Sequence, residues 1–218
     1  AFPGALKVKD TDGNGIVNEG DVVELGNVMA HHTGGFGFSG NYKNFDFSAN
    51  FTYQLGGKVY NASAMCEYTG GKEPGIGKNK RDFIRNCFQL YDVRGGELVA
   101  VTDPTELAAL NANASRPVPY YEANTVLSDF IEDASFLRLS NITVGYSLPK
   151  SLLKKAYIQS ARIYVTGGNL FCITGYKGLD PEVSTNGFAG SSGYPTPGLD
   201  YGSYPRSRTF TVGLNVTF

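Results

Sequence analysis

The sequence predicts an all-β fold in which antiparallel strands form part of a transmembrane β-barrel with long extracellular loops. The first observation is the stretch Arg208–Phe218, RTFTVGLNVTF. Phe210, Val212, Leu214, Val216 and Phe218 are apolar, and the residues between them are small or polar. Such period-2 alternation marks a strand with one apolar and one polar face. A soluble edge strand of this kind would usually carry a Lys, a Pro or a bulge against edge-to-edge pairing, and none follows Arg208. A barrel instead turns the apolar face to lipid and pairs every edge, with aromatics such as Phe218 in the interfacial girdle. The second observation is composition. The 218 residues include 28 Gly, 14 Tyr and 14 Phe against 2 Met, a bias toward strands and turns over helix. No apolar run approaches the roughly 20 residues of a membrane helix, so any crossing is made by strands. The third observation is that the connections alternate between short turns and long loops, the habit of outer-membrane barrels.

Taken in order, the chain opens with an extracellular loop over residues 1–32 that carries DTDGNGIVNEGD, Asp10–Asp21. Numbered from Asp10, side-chain oxygens fall at positions one, three and five (Asp10, Asp12, Asn14) and Gly15 at the sharp turn of position six. Ile16 at seven offers a carbonyl, with Asn18 at nine and Asp21 at twelve. This is the ligand spacing of an EF-hand calcium loop, in which hard oxygens at alternate positions wrap a hard cation. Asp21 is shorter than the usual Glu at position twelve, which weakens bidentate closure. The competing reading is a metal-free Asp/Asn/Gly turn. Agreement at six positions favours calcium, held as a structural clamp because no amphipathic helix pair flanks the loop.

Residues 33–218 are expected to be barrel. Thr33–Lys43 and Phe45–Leu55 make a hairpin across the Lys43-Asn44 turn, and Phe45, Phe47, Phe51 and Leu55 alternate with Asp46, Asn50 and Gln54. Residues 56–134 break the pattern with Gly-Gly pairs and prolines, and read as a long outer loop. Within them Asp103-Pro104 opens a short helix, Asp as cap and Pro at the first helical position. Strands follow at Phe136–Leu148 and Gln159–Phe171, joined by Pro149–Ile158, in which Lys150–Ala156 forms a helical turn or two. A second long outer loop spans 172–207. With the last strand ending in the periplasm, the short connections are periplasmic and the long ones extracellular, where millimolar calcium suits a weak site.

Several classes of function are excluded or disfavoured. A net charge of −1 offers no basic footprint for nucleic acid. Neither G-x-S-x-G nor H-E-x-x-H occurs, so the chain does not read as an enzyme. His31 and His32 are adjacent at a strand entrance, where neighbours point to opposite faces, and read as structural. Cys66 and Cys87 share the long loop; a disulfide and unpaired thiols both fit.

Five stretches, in order, carry a resemblance: Asp10–Asp21 followed by Gly26-Asn27, SFLRLSNITVGYSLP (Ser135–Pro149), RIYVTGGNLF (Arg162–Phe171), YKGLDPEVS (Tyr176–Ser184) and DYGSYPRSRTFTVGLNVTF (Asp200–Phe218). Together they resemble the C-terminal part of the SusC/RagA family of TonB-dependent outer-membrane transporters. The resemblance implies a large plugged barrel of about 22 strands in the bacterial outer membrane, importing glycans or peptides. It also implies a SusD-like surface lipoprotein as partner, and energy from TonB through an N-terminal part that this chain does not include. Five recognisable strands are fewer than the roughly eight of the smallest barrels, so the remainder of the same barrel, its N-terminal strands and plug, is an expected partner. A structural or adhesive barrel without transport is the alternative. A plug and a TonB box upstream would decide between the two.

Overall fold

A computed structural model describes residues 3–69, 86–118, 127–154, 157–186 and 195–218. It falls into two compact units, Ala1–Leu25 with Ala62–Phe130, and Gly26–Asn61 with Ile131–Phe218.

The second unit holds the membrane wall. Strands β1 (His32–Tyr42), β2 (Phe45–Leu55), β7 (Phe136–Ser147), β8 (Ser160–Gly168) and β13 (Thr209–Thr217) lie side by side in that order. Every pairing is antiparallel. The first two strands meet at Lys43-Asn44, with Lys43 at φ 56°, as a two-residue hairpin requires. The register aligns the faces of all five strands. Tyr42, Phe45, Tyr146, Ile163 and Leu214 form one row, and Gly40, Phe47, Val144, Val165 and Val212 the next. On the opposite face, Ser39, Ser48, Thr143, Thr166 and Thr211 form a row of hydroxyls. Cross-strand aromatic pairs knit the apolar face, with Phe36 stacked on Phe51 at 5.1 Å and Phe45 tilted against Tyr146 at 4.7 Å. Phe210, Val212 and Leu214 are 74%, 72% and 62% exposed. An aqueous sheet would not leave so continuous an apolar face uncovered; lipid is the solvent it fits.

Two irregularities modify the expected strands. A bulge at Asn50/Phe51 leaves Ser140 of β7 without an opposite number, and Thr52 and Ser140 hydroxyls meet at 3.0 Å beside it. The fourth strand, expected to run to Phe171, is interrupted at Asn169, which sits at φ 52°. It resumes against β7 as β9 (Cys172–Thr174).

The long connections are not bare loops. Lys58–Asn61 (β3), Ile131–Asp133 (β6) and Leu199–Asp200 (β12) form a three-stranded sheet in the order β12-β3-β6. Val59, Ala134, Tyr176 and Val183 make a buried cluster in the same unit. Ser184–Asn186 (β10) pairs with Pro195–Pro197 (β11).

The first unit contains helix α1 (Ala62–Thr69), hairpin strands β4 (Tyr91–Arg94) and β5 (Glu97–Ala100), and helix α2 (Pro104–Leu110). Gly95 and Gly96 at φ 64° and 89° supply the positive torsions of a type I′ turn. Helix α2 starts as its sequence requires, the Asp103 carboxylate accepting the N–H groups of Thr105 and Glu106 at 2.9 Å. No helix among the described residues is long and apolar enough to cross a membrane. The Cys66 side chain lies outside the described residues, and with it the question of a bridge to Cys87; burial pushes the Cys87 thiol pKa up.

The alternating faces generate a direct test. Nitroxide labels placed singly from Phe45 to Tyr53 in the membrane-embedded protein should alternate in collision rate with oxygen, high at Phe45, Phe47 and Phe51 and low at Asp46, Ser48 and Asn50. A flat profile would contradict the faces assigned here.

Candidate functional site

The polar face of the wall is built around glycines that receive the long side chains of neighbouring strands. Arg162 of β8 reaches across β7 to Asp46 of β2, donating from Nε to Oδ1 at 2.8 Å and from Nη2 to Oδ2 at 2.5 Å. This fork-on-fork pair passes over Gly145, where a Cβ would stand 2.4 Å from Arg162 Nη2 and 2.5 Å from Asp46 Oδ1. The guanidinium also lies 5.0 Å from the Tyr164 ring, and Tyr164 in turn covers Gly213. Further along the face, Asn50 donates to Asn141 at 2.9 Å and the Thr143 and Thr166 hydroxyls meet at 2.8 Å. Asp46, Asn50, Asn141, Arg162 and Tyr164 therefore share one polar surface. That surface can hydrogen-bond water, a plug or a polar solute.

The acidic loop forms in the first unit. One carboxylate oxygen from each of Asp10, Asp12 and Asp21 lies within 4.8 Å of the other two. Asp10 accepts the N–H groups of Gly13 at 2.7 Å and Gly15 at 2.8 Å, the two glycines at φ 76° and 81° that let the chain fold back. Asn14 donates from its amide nitrogen to Asp12 Oδ2 at 2.7 Å and accepts the Ile16 N–H at 2.7 Å. Ile16 keeps its side chain exposed. Asn18 and Asp21 cap the short 3-10 turn Glu19–Asp21 reciprocally, and Asp21 also accepts Thr11 N–H at 2.6 Å. Backbone N–H groups of Asn18 and then Thr11 hold the Asp21 carboxyl below its usual pKa. Asp10, Asp12 and Asp21 thus converge directly; Asn14 and Asn18 join through bonds to Asp12 and Asp21. The donor set is all hard oxygen, which fits Ca²⁺.

A third cluster escaped the sequence reading. Arg138 on β7, 3% exposed, donates to Asp180 at 2.7 Å and to Asn169 at 2.6 Å. Its Nε lies 2.9 Å from Glu182 Oε2 without hydrogen-bond alignment. Arg206 pairs with Glu182 at 3.1 Å. The signal was present in the sequence as a lone Arg in the apolar run FLRLS and two carboxylates in GLDPEV.

Comparison with known proteins places this geometry. No protein-family model matches the chain. The TonB-dependent receptor P3 of Formosa agariphila is 34% identical over 99% of the chain. The TonB-dependent receptor SusC of Bacteroides thetaiotaomicron is 30% identical over 96%. The RagAB peptide importer in its closed-closed state superposes on 99% of the chain with a TM-score of 0.65 at 26% identity. The chain is a SusC/RagA-like barrel segment. Its place is the bacterial outer membrane, as for these relatives. This SusC/RagA-like chain spans 19% of the P3 receptor, 17% of SusC and 20% of the RagAB chain it matches.

Gly145 gives a test of the lumen wall. Gly145→Ala should destabilise the folded barrel by about 1–3 kcal/mol, as overpacking does, read from the heat-stability of the compact band on a gel. In an Arg162→Ala background the same change should cost less, because the side chain it displaces is gone. Equal costs in both backgrounds would show that Gly145 is not a seat for Arg162.

Proposed function

We propose that this segment forms part of the wall and outer mouth of a TonB-dependent importer of glycans or peptides, working with a SusD-like surface lipoprotein. The observation that carries the reading is the superposition of nearly the whole chain on the RagAB peptide importer, with its apolar and polar faces separated strand by strand. Likeness to SusC and to RagAB, a two-component importer by its name, supports the lipoprotein partner. The polar face would line the path of the solute and contact the plug. TonB would engage a part of the protein outside this chain. The long connections would face outward, and the short turns the periplasm.

The test is genetic. Deleting the gene should abolish growth on particular oligosaccharide or peptide sources while leaving growth on glucose intact, and loss of TonB should reproduce the defect. Unchanged growth on every polymer tried, with adhesion to surfaces impaired, would overturn import in favour of an adhesive barrel.

In the same proposal the loop Asp10–Asp21 binds one calcium ion through Asp10, Asp12, Asn14, Asn18, Asp21 and the Ile16 carbonyl. The convergence of three carboxylates supports it. Calcium would offset their mutual repulsion and clamp an outer loop. In the complete protein, calorimetric titration should give one site per chain with millimolar to micromolar affinity, lost in Asp12→Ala while the barrel band persists. No calcium-dependent heat in the parent would overturn the site. Asp21 has its pKa lowered by folding. Its contribution to loop order is therefore present above the unfolded value of about 3.9 and is lost as pH falls through the folded one. Loop protection against hydrogen exchange without calcium should be constant from pH 7 to 5 and fall only in stronger acid.

A further inference from the structure

We infer that the bases of the two long connections are fused into one rigid ledge, locked onto the polar face of the barrel wall by Arg138, and do not act as moving parts. Arg138 stands opposite Thr52, two residues beyond Asn50 and on the same face, so its side chain points to the polar side of the wall. Its partners Asp180 and Glu182 therefore lie over that side, and the connection after β9 folds inward across the mouth of the barrel.

Three separate stretches meet around this arginine. Asn169, at the break between β8 and β9, accepts from Arg138 and donates its own N–H groups to the carbonyls of Arg206 and Ser207 at 3.0 and 3.3 Å. Asp180 accepts from Arg138, from the Glu182 N–H at 3.0 Å and, at 3.5 Å, from the Arg206 N–H. Glu182 bridges Arg138 and Arg206. Two guanidinium groups thus face two carboxylates. Unpairing a buried member of such a set is strongly destabilising, so it holds one arrangement.

The ledge then continues into the other long connection. The Tyr176 hydroxyl donates to Asp200 at 2.5 Å, and Asp200 sits in β12, parallel to β3. The Tyr60 N–H donates to the Gly198 carbonyl at 2.7 Å and the Ala134 N–H to the Gly57 carbonyl at 3.1 Å. Asn61, fully buried, donates to Glu132 at 3.1 Å. Strands only two to four residues long would not persist alone. Joined through the Val59, Ala134, Tyr176 and Val183 cluster and the charged hub, they make a body with its own small core.

Hydrogen exchange read by mass spectrometry on the complete protein in nanodiscs tests this, because cooperative units open together. In the parent, peptides covering 57–61, 131–138, 176–183 and 199–206 should exchange within tenfold of strand β7. Exchange at the rate of open loops would overturn the inference. Arg138→Met should raise exchange at least 100-fold in 176–183, 199–206 and 57–61 together, while β8 and β13 stay protected. An increase confined to 180–182 would also overturn it. Should Arg138→Met fail to assemble, the variant Tyr60→Cys with Leu199→Cys, register partners on β3 and β12, supplies a second readout. The bridge should form quantitatively on oxidation and leave the exchange pattern unchanged. Failure to close, or a changed pattern with the bridge closed, would contradict a fixed ledge.

Discussion

Hydrocarbon imposes one requirement on the wall: every backbone N–H and C=O must be paired within the protein. The five wall strands meet it by pairing edge to edge, β1-β2-β7-β8-β13, which leaves the outer edges of β1 and β13 open among the described residues. Once the backbone is committed to that ladder, side chains alternate and the two faces can diverge completely. One face is free to be Phe, Val, Leu and Tyr because lipid receives it. The other can hold Asp46, Arg162 and a row of hydroxyls because it faces a polar interior. Glycine enters for a mechanical reason. Gly145 and Gly213 leave room where Arg162 and Tyr164 cross from one strand to the next.

Above the wall the same requirement is met differently. The long connections carry many polar groups, and they satisfy them by building structure. The three-stranded sheet β12-β3-β6 pairs backbone, Tyr176 and Asp200 pair side chains, and Arg138 ties the assembly to β7. The acidic loop in the first unit is a smaller case: its carboxylates collect N–H groups from Thr11, Gly13, Gly15 and Asn18. That local order brings three negative charges together, and the proposed calcium site rests on this convergence.

How much of this was legible in the sequence follows from the range of each interaction. The wall strands other than the fourth were legible to within a residue, since period-2 alternation is local: Phe45–Leu55 forms as read, and Phe136–Leu148 ends one residue early; the short strands inside the long connections were read as loop. The Asp103 cap and the Lys43-Asn44 turn were legible for the same reason. The interruption at Asn169 was not, because an Asn in the left-handed region leaves the alternation on either side looking continuous. The ledge was not legible either. It depends on residues 138, 169, 180 and 206 meeting, and no local pattern records contacts across such separations. Of the acidic loop, the convergence of Asp10, Asp12 and Asp21 followed from spacing alone.

These strands wall a barrel with the aromatic face outward and the charged face inward. An electron cryomicroscopy map of the complete protein in a lipid nanodisc tests it most directly. Phe45, Phe47, Val144, Val212 and Leu214 should lie against lipid density, with Asp46 and Arg162 joined on the inner surface. A map in which that aromatic face packs against protein, or in which Asp46 and Arg162 point to lipid, would contradict it.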